Sequence, residues 1–480
     1  MSESTKSKAI KGTAWTLFER LASQVCQFVI GILLARVLSP SDYGTVGMLA
    51  IFMAIAQSLI DGGFVRALIQ KKGRTDIDYS TVFYFNFGIS VVLYAILFIT
   101  APFIADFYRT PILTDVTRIV AIQILINSLT IVQTAKLTIE LNMKLQSIAS
   151  IISIVVSGAI GIYLAYSGLG VWALVWQGIA SSSIRLLILW IFSKWKPMLV
   201  FSKESFKSLF SFGSKLLLGD FIHTITTNLY TLFIGRAFNS SQVGYYNRAN
   251  GYATLPCGVF SQVVNKIIFP ILSEHQDDNA KLLSTYKKMV NVPMFIYVPI
   301  MVGFAALAKP LVVALITDKW LACVPLIKIL CIGYIISPMT SLNLNLLYVK
   351  GRSDISLKLD FIKKPVNIAL LLISIPFGIW WICFGKIVYE FFAFFMNCIY
   401  TKKLLNFGFW KQLKEILPIL IYSAVMYVVI TFAIMPFSND WAKIGVGFIV
   451  GAISYLSIAW IMKDSSLSEI LLLIKTKMTR

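Results

Sequence analysis

Residues 33–44 read LLARVLSPSDYG and residues 233–244 read FIGRAFNSSQVG. Laid over one another at an offset of 200 positions, Arg36 meets Arg236, Ser41 meets Ser241 and Gly44 meets Gly244. Each stretch closes an apolar run with a basic residue, makes a turn from Ser, Pro or Asn, and opens the next run, so each predicts the tip of a helical hairpin. Carried backward, LFER (17–20) overlies LLGD (217–220) and pairs Arg20 with Asp220; carried forward, Arg66 falls on Lys266. A chain that repeats a hairpin with its polar groups at matched depths is built from two copies of one unit. About six apolar runs of membrane-crossing length separate the copies. That even number makes both copies run in the same direction, as in a parallel repeat about an axis along the membrane normal. The repeat predicts two lobes, 1–200 and 201–405, related by a pseudo-two-fold axis and meeting at a cavity lined by their first two helices. Residues 406–480 then supply two extra helices and a cytoplasmic tail.

Composition agrees with this plan. Of 480 residues, 58% are apolar and 14% charged, far more apolar surface than one water-soluble core hides. Apolar runs recur from residue 13 almost to the C-terminus, and their lengths predict an all-α integral membrane protein of about fourteen transmembrane helices. The first run follows the basic leader MSESTKSKAIKG, but Glu19 and Arg20 interrupt it and no small-residue cleavage site follows, so it reads as a retained span rather than a signal peptide. The net charge of +21 is placed by topology: alternate connections carry Lys6, Lys8 and Lys11, then Lys71, Lys72 and Arg74, then Lys136 and Lys144, then Lys350, Arg352, Lys363 and Lys364. By the positive-inside rule those connections and both termini face the cytoplasm, and the charge contacts anionic membrane lipids rather than nucleic acid. The six cysteines lie in or beside apolar runs without a CxxC pair, which predicts small buried hydrophobes and neither a disulfide nor a metal site.

Charges inside spans carry the functional signal, since each costs about 2.5 to 3.5 kcal/mol at a helix centre and therefore needs a partner, water or a role. Arg20 stands in the first helix of one repeat, and Lys215, Asp220 and His223 in the first helix of the other. Arg20 and Lys215, with Lys266, are suited to an anionic group such as a phosphate. The alternative for Arg20 is a structural pair with Glu19 or Asp220, and for Lys266 snorkelling toward the cytoplasm. Asp61, in LIDGGF, suits either substrate binding or the end of a helix. Asp220 and His223, one helical turn apart, share a face and are the coupling candidates. Arg185, Lys328 and Glu390 are expected to stand on spans away from the cavity. Asp76–Asp78 and Glu274–Asp278 read as solvated loop charges, because no connection is long enough to hold a nucleotide-binding domain. No P-loop, nucleophile elbow or zinc helix appears, so neither an enzyme nor a cofactor is expected. Trp172, Trp176 and Trp195 suit interfacial belts, and Tyr245 and Tyr246 suit either the interface or sugar stacking.

Several stretches carry a resemblance: KGTAWTLFERLASQVCQFVIGILLARVLSPSDYGTVGMLAIFMAIAQSLIDGGFVRALIQKK, DYSTVFYFN, GVWALVWQ, LFSFGSKLLLGD, and VGYYNRA with FPILSEHQDD. The chain resembles the lipopolysaccharide and O-antigen type polysaccharide flippases of the multidrug/oligosaccharidyl-lipid/polysaccharide exporter superfamily, most strongly over residues 10–280. The resemblance implies a fourteen-helix, two-lobed transporter in the bacterial cytoplasmic (inner) membrane. It would move an undecaprenyl-diphosphate-linked oligosaccharide to the outer leaflet by alternating access, for surface polysaccharide assembly, alongside polysaccharide biosynthesis enzymes. Cationic cavity residues hold the diphosphate in such proteins, and Arg20 and Lys215 occupy the matching segments. The rival from the same superfamily is a cation-coupled exporter, whose cavity should be acidic; a membrane polysaccharide polymerase would be an enzyme with a larger external loop or domain.

Overall fold

The computed structural model describes residues 3–61, 63–193 and 195–478, with the side chains at 3–10, 212, 215, 216, 218, 262, 263, 265 and 473–478 outside the description. The described residues fold into helices joined by short turns, and by Cα packing they form two compact units, 1–244 and 245–480.

The first unit opens with α1 (Glu3–Val37), α2 (Pro40–Asp61), α3 (Phe64–Gln70) and α4 (Asp76–Tyr108). It continues through the short helices α5 (Leu113–Val120), α6 (Ile122–Ser128) and α7 (Ile131–Ile139) to α8 (Met143–Tyr166), α9 (Val171–Phe192) and α10 (Lys203–Ala237). The second contains most of α11 (Ser240–Val263), a π turn at Val264–Ile268 and α12 (Phe269–Ser273). After these come α13 (Asn279–Ala306), α14 (Ala308–Ile316), α15 (Cys323–Tyr334), α16 (Ser337–Val349), α17 (Ser353–Ser374), α18 (Ile379–Leu405), α19 (Phe409–Ala433), α20 (Asp440–Ile461) and α21 (Ser465–Met478). Twelve spans among the described residues are long and apolar enough to cross a membrane. Helices α10 and α17 are not among them, although their 35 and 22 residues exceed the ~20 a crossing needs. Both carry more charge than the others: α17 alone holds Asp354, Lys358, Asp360, Lys363 and Lys364. Adding these two helices recovers the expectation of about fourteen.

In the first unit α8 is packed between α1 and α9. Its buried face is Ser153, Ser157, Gly161 and Ala165, small residues at four-residue spacing that let helices approach closely where lipid supplies no hydrophobic drive. Helix α10 lies along α2 and α3. The doubled hairpin tip has a physical use within this unit. A Cβ on Gly44 would fall 1.6 Å from the Ser240 carbonyl oxygen, and one on Gly244 would fall 2.0 Å from that of Pro40. Pro40 and Ser240 are themselves equivalent under the 200-residue offset, so the contact is reciprocal, as at a local two-fold axis. The Ser41 and Ser240 hydroxyls hydrogen-bond beside it at 2.6 Å.

Three smaller expectations change. Asp78 is not solvated but 1% exposed: it closes a capping box with Thr75 at the start of α4 and pairs with Lys71 at 2.6 Å. Trp195 is buried against Tyr79 and Phe83 rather than standing in a belt. Lys363 is not a loop lysine: it sits mid-α17, 6% exposed, 3.5 Å from Asp360 and 3.3 Å from the Asn397 side-chain oxygen. Of the cysteines, Cys323, Cys331, Cys383 and Cys398 are buried.

Candidate functional site

Helix α1 turns a polar stripe out of an otherwise apolar sequence. Thr16, Glu19, Arg20, Ser23, Gln24 and Gln27 recur every three or four residues and line one cavity of about 580 Å³. Ser150 and Ser153 of α8, Ser181, Ser182 and Arg185 of α9, and Asn127 of α6 complete its wall. The lining is hydroxyls and amides, with no aromatic ring, and its charges are two guanidiniums against one carboxylate. That carboxylate, Glu19, accepts a hydrogen bond from the Ser147 hydroxyl at 3.2 Å.

A second cavity of the same unit, about 750 Å³, is walled by Gln57, Ser58 and Asp61 of α2, Arg66 of α3, Thr130 and Thr134, and Asp220, His223 and Thr224 of α10. Asn127 and Arg185 line this cavity too, so the two spaces share a wall. An amide relay crosses it: Asn127 donates to the Gln57 carbonyl oxygen at 3.2 Å, and Gln57 donates to Asp61 at 3.0 Å. Asp220 pairs with Arg66 at 3.4 Å, with both side chains about half exposed. The pairing follows from local geometry. Helix α2 ends at Asp61, Gly63 adopts φ +73°, and α3 restarts at Phe64. A Cβ on Gly63 would meet the Gly213 carbonyl oxygen at 2.3 Å, so only glycine lets α3 approach α10 closely enough for Arg66 to reach Asp220. Asp61 therefore both ends a helix and faces a cavity.

The residues singled out by sequence distribute unevenly. Arg20 has no ion pair among the described residues: the expected alternative partners are engaged elsewhere, Glu19 with Ser147 and Asp220 with Arg66. Asp61, Asp220 and His223 share the second cavity. Lys215 lies on α10, but its side chain is outside the described residues. Lys266 is exposed on the π turn of the second unit and lines neither cavity. Tyr246 is buried, and Tyr245 packs edge-on to Trp320 and donates to the Lys319 carbonyl.

Arg185 stands where the sequence reading did not place it. It lines both cavities, its Nε is buried without a hydrogen-bond partner, and it has no ion pair among the described residues. The missed signals were periodic ones: the polar stripe through α1, and Ser181, Ser182 and Arg185 on one face of α9.

Residues 33–325 match the polysaccharide biosynthesis protein family. The chain belongs to that family. It is 27% identical over 353 residues to the teichuronic acid biosynthesis protein TuaB of Bacillus subtilis, covering 73% of each chain. It is also 24% identical over 377 residues to the lipopolysaccharide biosynthesis protein WzxC of Escherichia coli, covering 77% and 76%. Among solved structures, its fold is similar to that of the lipid II flippase MurJ in an inward closed conformation. The TM-score there is 0.75 at 16% identity, over 94% of this chain and 98% of that one. A multidrug resistance transporter of the MATE family, inward-facing, superposes with a TM-score of 0.60 at 15% identity over 80% and 96%. The twelve apolar spans and the likeness to these folds make the chain a multi-pass, all-α membrane protein, as the resemblance implied.

Proposed function

We propose that this family member is a flippase that moves an undecaprenyl-diphosphate-linked oligosaccharide from the cytoplasmic to the outer leaflet of the bacterial inner membrane by alternating access. The observation that carries this reading is the pair Arg20 and Arg185, two guanidiniums without an ion pair among the described residues, on the wall of a cavity lined mostly by hydroxyls and amides with the single carboxylate of Glu19. A diphosphate presents pairs of oxygens that the planar fork of a guanidinium can donate to side by side. A glycan presents hydroxyls that exchange hydrogen bonds with Ser, Thr, Gln and Asn. Leaving a charge unpaired in a span is costly, so two such arginines in one cavity mark a place for an anion. Charge-assisted hydrogen bonds contribute about 1.5–3 kcal/mol each.

The adjoining cavity supplies the ionisable groups for energising the cycle. Asp220, paired with Arg66, and His223 are the coupling candidates of that space, and Asp61 is assigned to its substrate side. The lysine-rich connections and both termini are assigned to the cytoplasm by the positive-inside rule. The exporter reading is disfavoured because a cavity for cationic compounds should hold an excess of carboxylates, whereas the α1 cavity has one against two guanidiniums.

The test is leaflet accessibility of a purified undecaprenyl-diphosphate oligosaccharide in proteoliposomes. Protein-dependent movement to the opposite leaflet is expected. Movement of cationic drugs but not of the lipid-linked sugar would overturn the proposal. For coupling, flipping by Asp220→Asn that is unchanged from the parent when the proton gradient is dissipated would remove Asp220 from that role.

A further inference from the structure

The second unit contains a polar pocket and an apolar one that follow each other along the same helix faces. The polar pocket, about 460 Å³, is lined by Lys287 and Asn291 at the start of α13, Lys411, Lys414 and Glu415 at the start of α19, and Ser466 at the start of α21. All three helices begin at this end, on the lysine-rich side assigned to the cytoplasm. The apolar pocket, about 740 Å³, is lined by Phe295, Pro299, Met426, Ile430, Gly447 and Gly451, among others.

The continuity is visible in the spacing. Lys287, Asn291, Phe295 and Pro299 succeed each other every four residues on α13, and Glu415, Ile419, Met426 and Ile430 follow one face of α19. From Lys287 to Phe295 is about 12 Å along the axis at 1.5 Å per residue. That is the distance over which an inner-leaflet lipid passes from its phosphate to its acyl chains. Helix α21 spans both spaces, with Ser466 on the polar pocket and Leu467 and Ile470 on the apolar one.

We propose that these two pockets form a binding site for an anionic phospholipid of the inner leaflet, with the phosphodiester held at Lys411 and Lys414 and an acyl chain laid in the apolar groove. The charges favour this occupant. Lys287 is neutralised by Glu415 at 2.7 Å, and Asp464 is turned to the α21 backbone, accepting from the Ser466 amide at 2.8 Å. Three lysines against two carboxylates leave one net positive charge in the pocket, which matches a monoanionic phosphodiester better than the higher charge of a diphosphate. Lys414 is exposed and has no ion pair among the described residues, so a phosphate can reach it without breaking an existing bridge. Glycine holds the groove walls together: a Cβ on Gly447 would meet Leu307 at 2.5 Å and one on Gly451 would meet Ile430 at 2.8 Å, so α20 packs closely on its neighbours. The site is independent of the substrate reading, because it lies wholly in the second unit.

Native mass spectrometry of the purified full-length protein, titrated with phosphatidylglycerol or phosphatidylcholine, tests the proposal. Phosphatidylglycerol should bind the parent at least tenfold more tightly than phosphatidylcholine. At about 1 kcal/mol for each basic residue near an anionic surface, Lys414→Gln should weaken phosphatidylglycerol about fivefold, and Lys411→Gln with Lys414→Gln about 30-fold. Ala452→Phe, which fills the groove, should weaken it with both lysines intact. Lys414→Gln breaks no contact, so it reads out even if the double variant does not fold. Equal binding of the two lipids, or unchanged binding in Lys414→Gln, would overturn the site. Displacement of phosphatidylglycerol by undecaprenyl phosphate at lower concentration would also overturn it, by giving the pocket to the lipid carrier.

Discussion

The two units treat charge inside a span in opposite ways. In the first, Arg20 and Arg185 face a polar cavity and make no ion pair among the described residues, the cavity's one carboxylate, Glu19, accepting from Ser147. In the second, Lys386 pairs with Glu390 at 3.4 Å, both largely buried, and Lys363 is held by Asp360 and Asn397. On insertion scales all of these residues carry the same kind of cost. What differs is the neighbour: Lys363 and Lys386 meet acidic side chains, whereas Arg20 and Arg185 line a cavity without an ion pair among the described residues. Near Lys363 the second unit even closes a dry polar network. Asn343 and Gln412 exchange hydrogen bonds at 2.8 and 2.9 Å, and Thr401 donates to Asn343 at 2.5 Å.

The sharpest way to break this contrast is to remove the unanswered charges. Arg20→Ala and Arg185→Ala should each lower the flipping rate about 10- to 100-fold, since each deletes one or more charge-assisted contacts to the diphosphate. Their thermal midpoints should stay near the parent, because neither side chain has an ion pair to lose. Lysine at position 185 should restore only part of the rate, lacking the paired donors.

The opposite result is expected in the second unit. Glu390→Gln removes the carboxylate from the largely buried Lys386 ammonium, at a cost approaching about 3 kcal/mol. Replacing both, Lys386→Met with Glu390→Leu, should restore most of that stability, as read by thermal unfolding in detergent. A variant Glu390→Gln that is as stable as the parent but fails to transport would move this pair to the functional class.

A smaller effect is expected at the repeated hairpin tip. Gly44→Ala places a methyl group on the Ser240 carbonyl and Gly244→Ala one on that of Pro40. Each should cost about 1–3 kcal/mol by overpacking, and the two should be similar because the contact is reciprocal. Equal stability of Gly44→Ala and the parent would show that the close approach is not needed.

The smallest effect is at Asp278, which caps α13 by accepting from the Ala280 and Lys281 amides. Those hydrogen bonds, first from Lys281 and also from Ala280, hold its carboxyl below the usual carboxylate range. A depressed folded-state pKa gives stability that is present above the unfolded value and is lost as pH falls through the folded one. Asp278→Ala should therefore lower the thermal midpoint slightly at pH 7 and remove part of the fall on acidification. Identical pH profiles for variant and parent would exclude the cap.

Much of the fold was legible because hydrophobic length is a strong signal: a run of about twenty apolar residues has few alternatives to a span. The Gly44 and Gly244 register was legible too, since a close helix approach that only glycine permits leaves the same letter twice. What could not be read was which spans face which. Arg185, Lys363 and Glu390 look alike as single charges in apolar runs, and nothing along the chain tells that the first meets a cavity and the others meet partners. Asp78 fails for a related reason. Its neighbours Lys71 and Thr75 are both local, but Ser205 of α10, far along the chain, also hydrogen-bonds its carboxylate. The polar stripe of α1 is present in the sequence as a period, but it carries little charge to mark it: its six residues are neutral except for Glu19 and Arg20.

The most direct test of the central contrast is equilibrium binding of an undecaprenyl-diphosphate oligosaccharide to the purified protein. The parent, Arg20→Ala, Arg185→Ala, and the double replacement Lys386→Met with Glu390→Leu are measured side by side. Binding weakened about 10- to 100-fold in each arginine variant and kept within about twofold in the double replacement is the expected result. Arginine variants that bind like the parent, or loss of binding in the double replacement, would contradict the assignment of the diphosphate to the unpaired guanidiniums of the first unit.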